Sequence, residues 1–531
     1  MRKSLFSSVT LIALAFSAPT FAADPASNWT GFYAGINAGL GVARNQTHDT
    51  EVQNETAGFP PSLIIPNIGN DNFSHAQAGA IFGAQFGYNW QIAPSWVAGV
   101  ETDWQWSGQK ETACISGCLP PFGLISLLAV QDEQSIKWLA TLRGRLGWVT
   151  PSGTLLYGTG GLAVGHVSQT LTAIAVPAQG GSLGFFANGQ GSVPVSFSHD
   201  KLGWTIGAGA EMPLWNKWSL KAEYLYVDLG HVTDSFTTPV SAATAFVDSM
   251  TTASSYGIHE HIVRLGLNYN FGGTPGATAM ASAPLAFARS DRWNGFYAGL
   301  NAGAGLARNP TFEPLFVPNN PFPVFGADTY SNAPAGGIFG AQLGWNWRVA
   351  PSWVAGVEVD WQWSGQKNSA CISICLPFAV DGTPGVFSGI LQGLIDEQSI
   401  KWLATVRGRI GWLTANDTLL YVTGGGAWAQ VNQTLTMFAS QAFFASGTTS
   451  SASFSQTKFG WTIGAGAEVP LWNSWSAKAE YLYVDLGSVT NSYSTALDSS
   501  SAPSTTIIAA STFKVQDHIV RFGLNYHFGG G

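Results

Sequence analysis

The sequence predicts an all-β chain built as two tandem eight-stranded antiparallel transmembrane up-and-down β-barrels. Three observations predict it. The first is repetition: Lys201 to Gly230, KLGWTIGAGAEMPLWNKWSLKAEYLYVDLG, returns as Lys458 to Gly487, KFGWTIGAGAEVPLWNSWSAKAEYLYVDLG. Trp29 matches Trp293 at an offset of 264 and Trp104 matches Trp361 at 257, so each unit is roughly 240 to 250 residues, far longer than a solenoid repeat. The second is composition: 10 % charged residues, 13 % aromatics, 63 Gly and 22 Trp, without a run of about 18 apolar residues after the leader that could span a membrane as a helix. The third is loop sorting, in which short turns and long connections alternate along each unit.

Taken in order, the chain starts MRKSLFSSVTLIALAFSAPTFAADPA. Arg2 and Lys3, an apolar stretch and small residues at Thr20 and Ala22 read as a signal peptide over 1–22. A membrane anchor is the alternative, but the apolar stretch is too short to span and Pro19 interrupts it. The mature chain then has 21 basic against 31 acidic residues, which argues against a nucleic-acid partner.

In the first unit, placed at 23–272, period-two alternation marks eight strands. They run near Trp29–Ala43, Ala78–Gln91, Trp96–Gln109, Ile136–Val149, Leu155–Gln169, Lys201–Leu214, Trp218–Leu229 and His261–Phe271. IAPS, TPSG and WNK close the short turns, and VAPS, TAND and WNS repeat them in the second unit at 293–531. The long connections near Gln46–Ser74, Lys110–Ser135, Thr170–Asp200 and His231–Glu260 read as surface loops, the place for any ligand. Short turns then face the periplasm and the chain sits in the outer membrane of a Gram-negative cell. Between the units, GGTPGATAMASAPLAFARSD reads as a flexible linker over 273–292.

Facing follows from the pleat. Val100, Thr102, Trp104 and Trp106 oppose Glu101 and Asp103; Trp138, Ala140, Leu142, Leu146 and Trp148 oppose Lys137, Arg143 and Arg145. An Arg or Lys facing hydrocarbon costs about 2 to 4 kcal/mol at mid-depth, so every strand charge is expected on the inner face. An eight-stranded bore is just wide enough for side chains to fill. Glu101, Asp103, Glu211 and Glu223 can then balance Arg143, Arg145, Lys221 and Arg264, with Lys137 left near the outer mouth. The second unit repeats the set as Glu358, Asp360, Glu468 and Glu480 with Arg407, Arg409, Lys478 and Arg521. Outward aromatics fall toward the strand ends, as two interfacial girdles require.

Four cysteines form matched pairs, Cys114 with Cys118 in CISGC and Cys371 with Cys375 in CISIC. In an exported chain each pair is expected as a small disulfide ring. No His lies within local ligand spacing of either pair, so a metal site is not expected.

The strings WTGFYAGINAG, RGRLGW, KAEYLYVDLG and HIVRLGLNYNF, with WNGFYAGLNAG, RGRIGW, KAEYLYVDLG and HIVRFGLNYHF in the second unit, resemble the alphaproteobacterial outer-membrane immunogenic proteins, within the OmpA-like barrels. The resemblance implies an eight-stranded barrel, surface exposure, antigenic loops and a terminal aromatic read by the barrel-assembly machinery. This chain departs from it in carrying two barrels and in ending Gly529 to Gly531 after Phe528.

The expected function is a non-enzymatic envelope protein, a surface antigen whose partners are outer-membrane lipid, the assembly machinery and an unknown surface ligand, with no cofactor. A diffusion porin of sixteen strands in one sheet is the alternative, since sixteen strands leave an aqueous lumen. A barrel enzyme would need a base and nucleophile in reach; of the nine His, only His261 and His518 match between units, and a girdle role suits both.

Overall fold

The computed structural model describes residues 28–55, 67–115, 127–176, 191–239, 247–273, 275, 291–316, 324–372, 392–414, 417–439, 449–497 and 505–528. The expected signal peptide, most of the expected linker, and Cys118 and Cys375 lie outside them. The described chain is almost wholly strand. The first unit comprises β1 (Gly31–Ala43), β2 (Asn45–Glu55), β3 (Asn67–His75), β4 (Ala78–Ala93) and β5 (Trp96–Ile115). It continues through β6 (Leu127–Val149), β7 (Leu155–Val176), β8 (Ser192–Pro213), β9 (Trp218–Pro239) and β10 (Val247–Asn270). The second comprises β11 (Gly295–Ala307), β12 (Asn309–Phe316), β13 (Val324–Asn332), β14 (Ala335–Ala350), β15 (Trp353–Ile372), β16 (Gln392–Leu413), β17 (Leu419–Ala439), β18 (Thr449–Pro470), β19 (Trp475–Leu497) and β20 (Thr505–His527).

Each unit closes on itself. β1 pairs antiparallel with β4 on one side and with β10 on the other, Tyr33 opposite Asn270 and Ala43 opposite Glu260. β11 does the same with β14 and β20. Phe271 N–H donates to the Phe32 carbonyl at 2.8 Å to finish the seam. The sixteen-stranded alternative is thereby corrected, because the last strand of each unit is taken up by the first strand of the same unit. Two barrels satisfy every ladder without leaving an edge in lipid.

The structure differs from the sequence expectation above the membrane. The long connections are not all loop: β5 and β6 continue to Ile115 and from Leu127, and β8 begins at Ser192. The first connection of each unit folds as a hairpin, β2–β3 and β12–β13, whose first strand pairs with β10 or β20. The buried face of β2 carries the polar residues Asn45, Thr47 and Asp49, so NQTHDTEVQNE forms a strand with no hydrophobic period to reveal it.

Lys137 is a second correction. The β6–β7 register shifts between Ile136 and Trp138, a bulge that breaks the two-residue period and turns Lys137 outward, where it is exposed. Lys401 repeats this in β16.

The short turns carry the backbone geometry their residues allow. Gly153 in TPSG has φ 82° and Asp417 in TAND takes the same place at 59°; Asn216 and Asn473 turn WNK and WNS at 49° and 48°. Gly, Asn and Asp tolerate this left-handed region best.

Candidate functional site

The lumen is where the charged residues converge. β5, β6, β8, β9 and β10 each contribute side chains on the inner face of the pleat, and the outer face of the same strands carries Trp104, Leu142, Leu146, Ile206 and Leu265, all exposed toward lipid. Inside, Arg143 is the hub. Its Nη2 bonds Glu101 and donates to Asp103 at 2.7 Å, and its Nη1 reaches Glu223 at 3.0 Å. Arg264 donates to Glu223 at 2.6 Å and Asp103 at 2.8 Å. Lys221 Nζ donates to both oxygens of Glu101, at 2.7 and 2.9 Å. Arg145 pairs with Glu211 at 3.0 Å. The eight charges are all buried.

The second lumen repeats this. Arg407 bonds Glu358 and reaches Asp360 at 2.7 Å and Glu480 at 2.9 Å. Arg521 donates to Glu480 and to Asp360, the latter at 3.0 Å. Lys478 donates to Glu358 at 2.7 Å and Arg409 to Glu468 at 3.1 Å.

Four tyrosines complete the networks. Tyr33 OH donates to Glu101 at 2.7 Å and Tyr157 OH to Glu223 at 2.9 Å, while the Arg145 guanidinium lies 4.5 Å from the Tyr33 ring centre. Tyr297 and Tyr421 serve Glu358 and Glu480 in the same way. The sequence reading missed them because tyrosine suits a girdle as well as a lumen. Their signal was present: Tyr33 alternates against outward Phe32 in GFYAG, and Gly87 and Gly209 stand opposite the phenols, where an added Cβ would come within 2.3 and 2.5 Å of the hydroxyls of Tyr33 and Tyr157.

Apolar layers close the bore on both sides of the charges. Toward the turns, Trp29, Val97, Val149, Leu155 and Tyr157 pack together, with Trp29 1 % exposed. Toward the loops, Ile81, Ile136, Leu139, Val167, Leu225, Val227, Ile258 and Ile262 form a second layer. A polar tier follows, in which Asp132 is met by His75 at 2.9 Å, Gln134 at 2.8 Å and Gln169 at 2.9 Å. Its counterpart Asp396 is met by Tyr330 at 3.0 Å, Gln398 at 2.6 Å and Gln433 at 2.8 Å.

His261 and His518 do not enter either lumen network. Each ring bonds a tyrosine hydroxyl, Tyr224 or Tyr481, at 2.8 Å. Among the described residues no three His, Cys, Asp or Glu are arranged to hold a metal ion. Cys114 and Cys371 stand at the ends of β5 and β15, and neither is a free thiol.

The model of the outer membrane protein beta-barrel domain matches this chain twice, over residues 8–271 and 276–528. The chain belongs to that family. Relatives within it place it in the outer membrane: the 31 kDa outer-membrane immunogenic protein of Brucella melitensis is 34 % identical over 259 residues, 48 % of this chain and 89 % of the relative. The 22 kDa outer membrane protein of Rhizobium leguminosarum is 29 % identical over 38 % of this chain and 66 % of its own length. Among solved structures, the Pseudomonas putida toluene transporter TodX aligns over 93 % of this chain and 90 % of its own at 11 % identity, with a TM-score of only 0.23. The family match covers one barrel at a time, so the chain is a tandem member of the family.

Proposed function

We propose that the chain is a non-enzymatic envelope protein in which two sealed barrels carry recognition loops at the cell surface. The observation that supports this best is the filling of each bore at successive levels, by an apolar layer, a balanced charge network and a second apolar layer. A bore filled in this way offers solutes no path. What varies between the units lies above the membrane, where loops on a rigid scaffold carry binding.

Several finer assignments belong to this reading. Residues 1–22 direct export, 23–272 and 293–531 are the two barrel units, and 273–292 links them. The short turns face the periplasm, and the barrel-assembly machinery inserts the chain into outer-membrane lipid. The Cys114–Cys118 and Cys371–Cys375 pairs close small disulfide rings in surface loops. The name of the Brucella relative calls it immunogenic, and antigenic loops are the corresponding role here.

Planar-bilayer recording of the refolded full chain tests the proposal. The expected outcome is an absence of large, stable open-channel events. Long-lived conductance of the size given by wide porins would overturn the sealed-barrel reading.

A further inference from the structure

Above the membrane the two barrels meet, and their contacts come in matched pairs. Arg44 Nε donates to the Ala333 carbonyl at 2.9 Å, and Arg308 Nε donates to the Ala76 carbonyl at 2.8 Å. Arg308 is Arg44 displaced by 264 residues and Ala333 is Ala76 displaced by 257, so the two bonds are one contact made twice. β13 lies against β3 with Ser331 opposite Ser74; Thr329 meets Cys114 while Cys371 meets Asn72. Ser74 and Ser331 are equivalent residues paired with each other, which places them on a pseudo-two-fold axis. Beneath them Phe73, Ala113, Ile115 and Val130 of the first unit share one apolar cluster with Tyr330, Ala370, Ile372 and Leu394 of the second.

A surface that contacts its own equivalent about a two-fold axis is isologous, the form found in symmetric dimers. Both halves of the contact lie at the loop ends of their barrels. Among the charged residues of the contact the symmetry is broken at Glu111. Arg308 faces Glu111, Nη2 to Oε1 3.5 Å, and Ser331 bonds the same carboxylate. The equivalent of Glu111 is Asn368, so Arg44 meets an amide oxygen at 2.6 Å in place of a carboxylate. The first barrel alone holds both an arginine and its acidic partner.

We propose that the outer rim bearing Arg44, Ser74, Ala76 and Glu111 is a homotypic docking surface whose occupant is a barrel of its own kind. In the intact chain the second unit occupies it. Once the linker is cut and the halves separate, a second copy of the first barrel fits it better, since each Arg44 then meets a Glu111. Two copies of the second barrel pair Arg308 with Asn368 and gain neither ion pair.

Cysteine cross-linking in the full chain tests this, with a protease site placed within 276–290. With Ser74→Cys and Ser331→Cys, oxidation is expected to keep the two halves together on a non-reducing gel after cleavage. Adding Arg44→Glu and Arg308→Glu is expected to cut that yield to roughly a tenth, equivalent to about 1.4 kcal/mol. Retained resistance of the variant to unheated SDS shows that its barrels remain folded.

A chain carrying only Ser74→Cys, cleaved and diluted in detergent, is expected to give dimers of the first half. The matching Ser331→Cys chain is expected to give few dimers of the second half. Absence of the 74–331 cross-link, or its persistence with both arginines reversed, would overturn the docking surface. Equal dimer yields from the two halves would overturn the preference for the first barrel.

Discussion

At the scale of single residues, each central network works because its four cations and four carboxylates lie within hydrogen-bond reach of an opposite charge. Arg143 touches Glu101, Asp103 and Glu223 at once, so Arg143→Met strands carboxylates that share it. Removing one partner of a buried pair costs about 3 to 5 kcal/mol. Equilibrium unfolding of the refolded variant in detergent, followed by tryptophan fluorescence, is expected to show a loss of that size. Arg143→Lys is expected to fall between the variant and the parent, because an ammonium cannot serve the carboxylates from two guanidinium nitrogens.

The charges were legible from sequence for a plain reason: hydrocarbon excludes them, so strand pleat alone assigns their face. Tyr33 and Tyr157 were not, since a phenol is at home at an interface as well as in a bore. Lys137 was misread because a bulge breaks the two-residue period, and nothing in the neighbouring SIKWLA marks where that happens.

At the scale of elements, the hairpin β12–β13 carries a titratable device. Glu313 on β12 lies buried opposite Asp328 on β13. Burial, followed by the charge of Asp396, holds its carboxyl well above the usual range. Burial also raises Asp396. A raised carboxyl keeps its proton in the folded hairpin after the unfolded chain has released it, near pH 4.3. Folding of the hairpin therefore weakens as pH climbs from there through the folded value. Amide hydrogen exchange is expected to show β12–β13 better protected at pH 5 than at pH 8, after correction for intrinsic rates. Glu313→Gln is expected to remove most of the difference.

The eight membrane strands of each unit were legible as elements, because lipid on one face and a packed lumen on the other force a period of two. The hairpins and the upper strand extensions were not. Water meets their outside, and their inner faces mix polar residues such as Thr47 and Asp49 with apolar ones such as Phe73 and Ile115, so no strict alternation is required.

At the scale of the whole molecule, repetition and loop sorting fixed the plan of two barrels, and the chain closes each unit through its own first and last strands. The contact between barrels was invisible from sequence, since Arg44 and Arg308 lie in segments that read as loop entrances and the acceptors of their Nε atoms are backbone carbonyls. The central claim, two self-closed cylinders, has a direct test in the membrane-embedded seam. Ile36 on β1 lies opposite Leu267 on β10, both outside the lumen, while Leu300 is the equivalent of Ile36 on β11. Oxidation of the full chain carrying Ile36→Cys and Leu267→Cys is expected to form an intramolecular disulfide detectable by peptide mass spectrometry, and the Leu267→Cys, Leu300→Cys chain is expected to form none. The reverse outcome, β10 cross-linked to β11 with the 36–267 pair left reduced, would contradict two closed barrels and restore a single sixteen-stranded sheet.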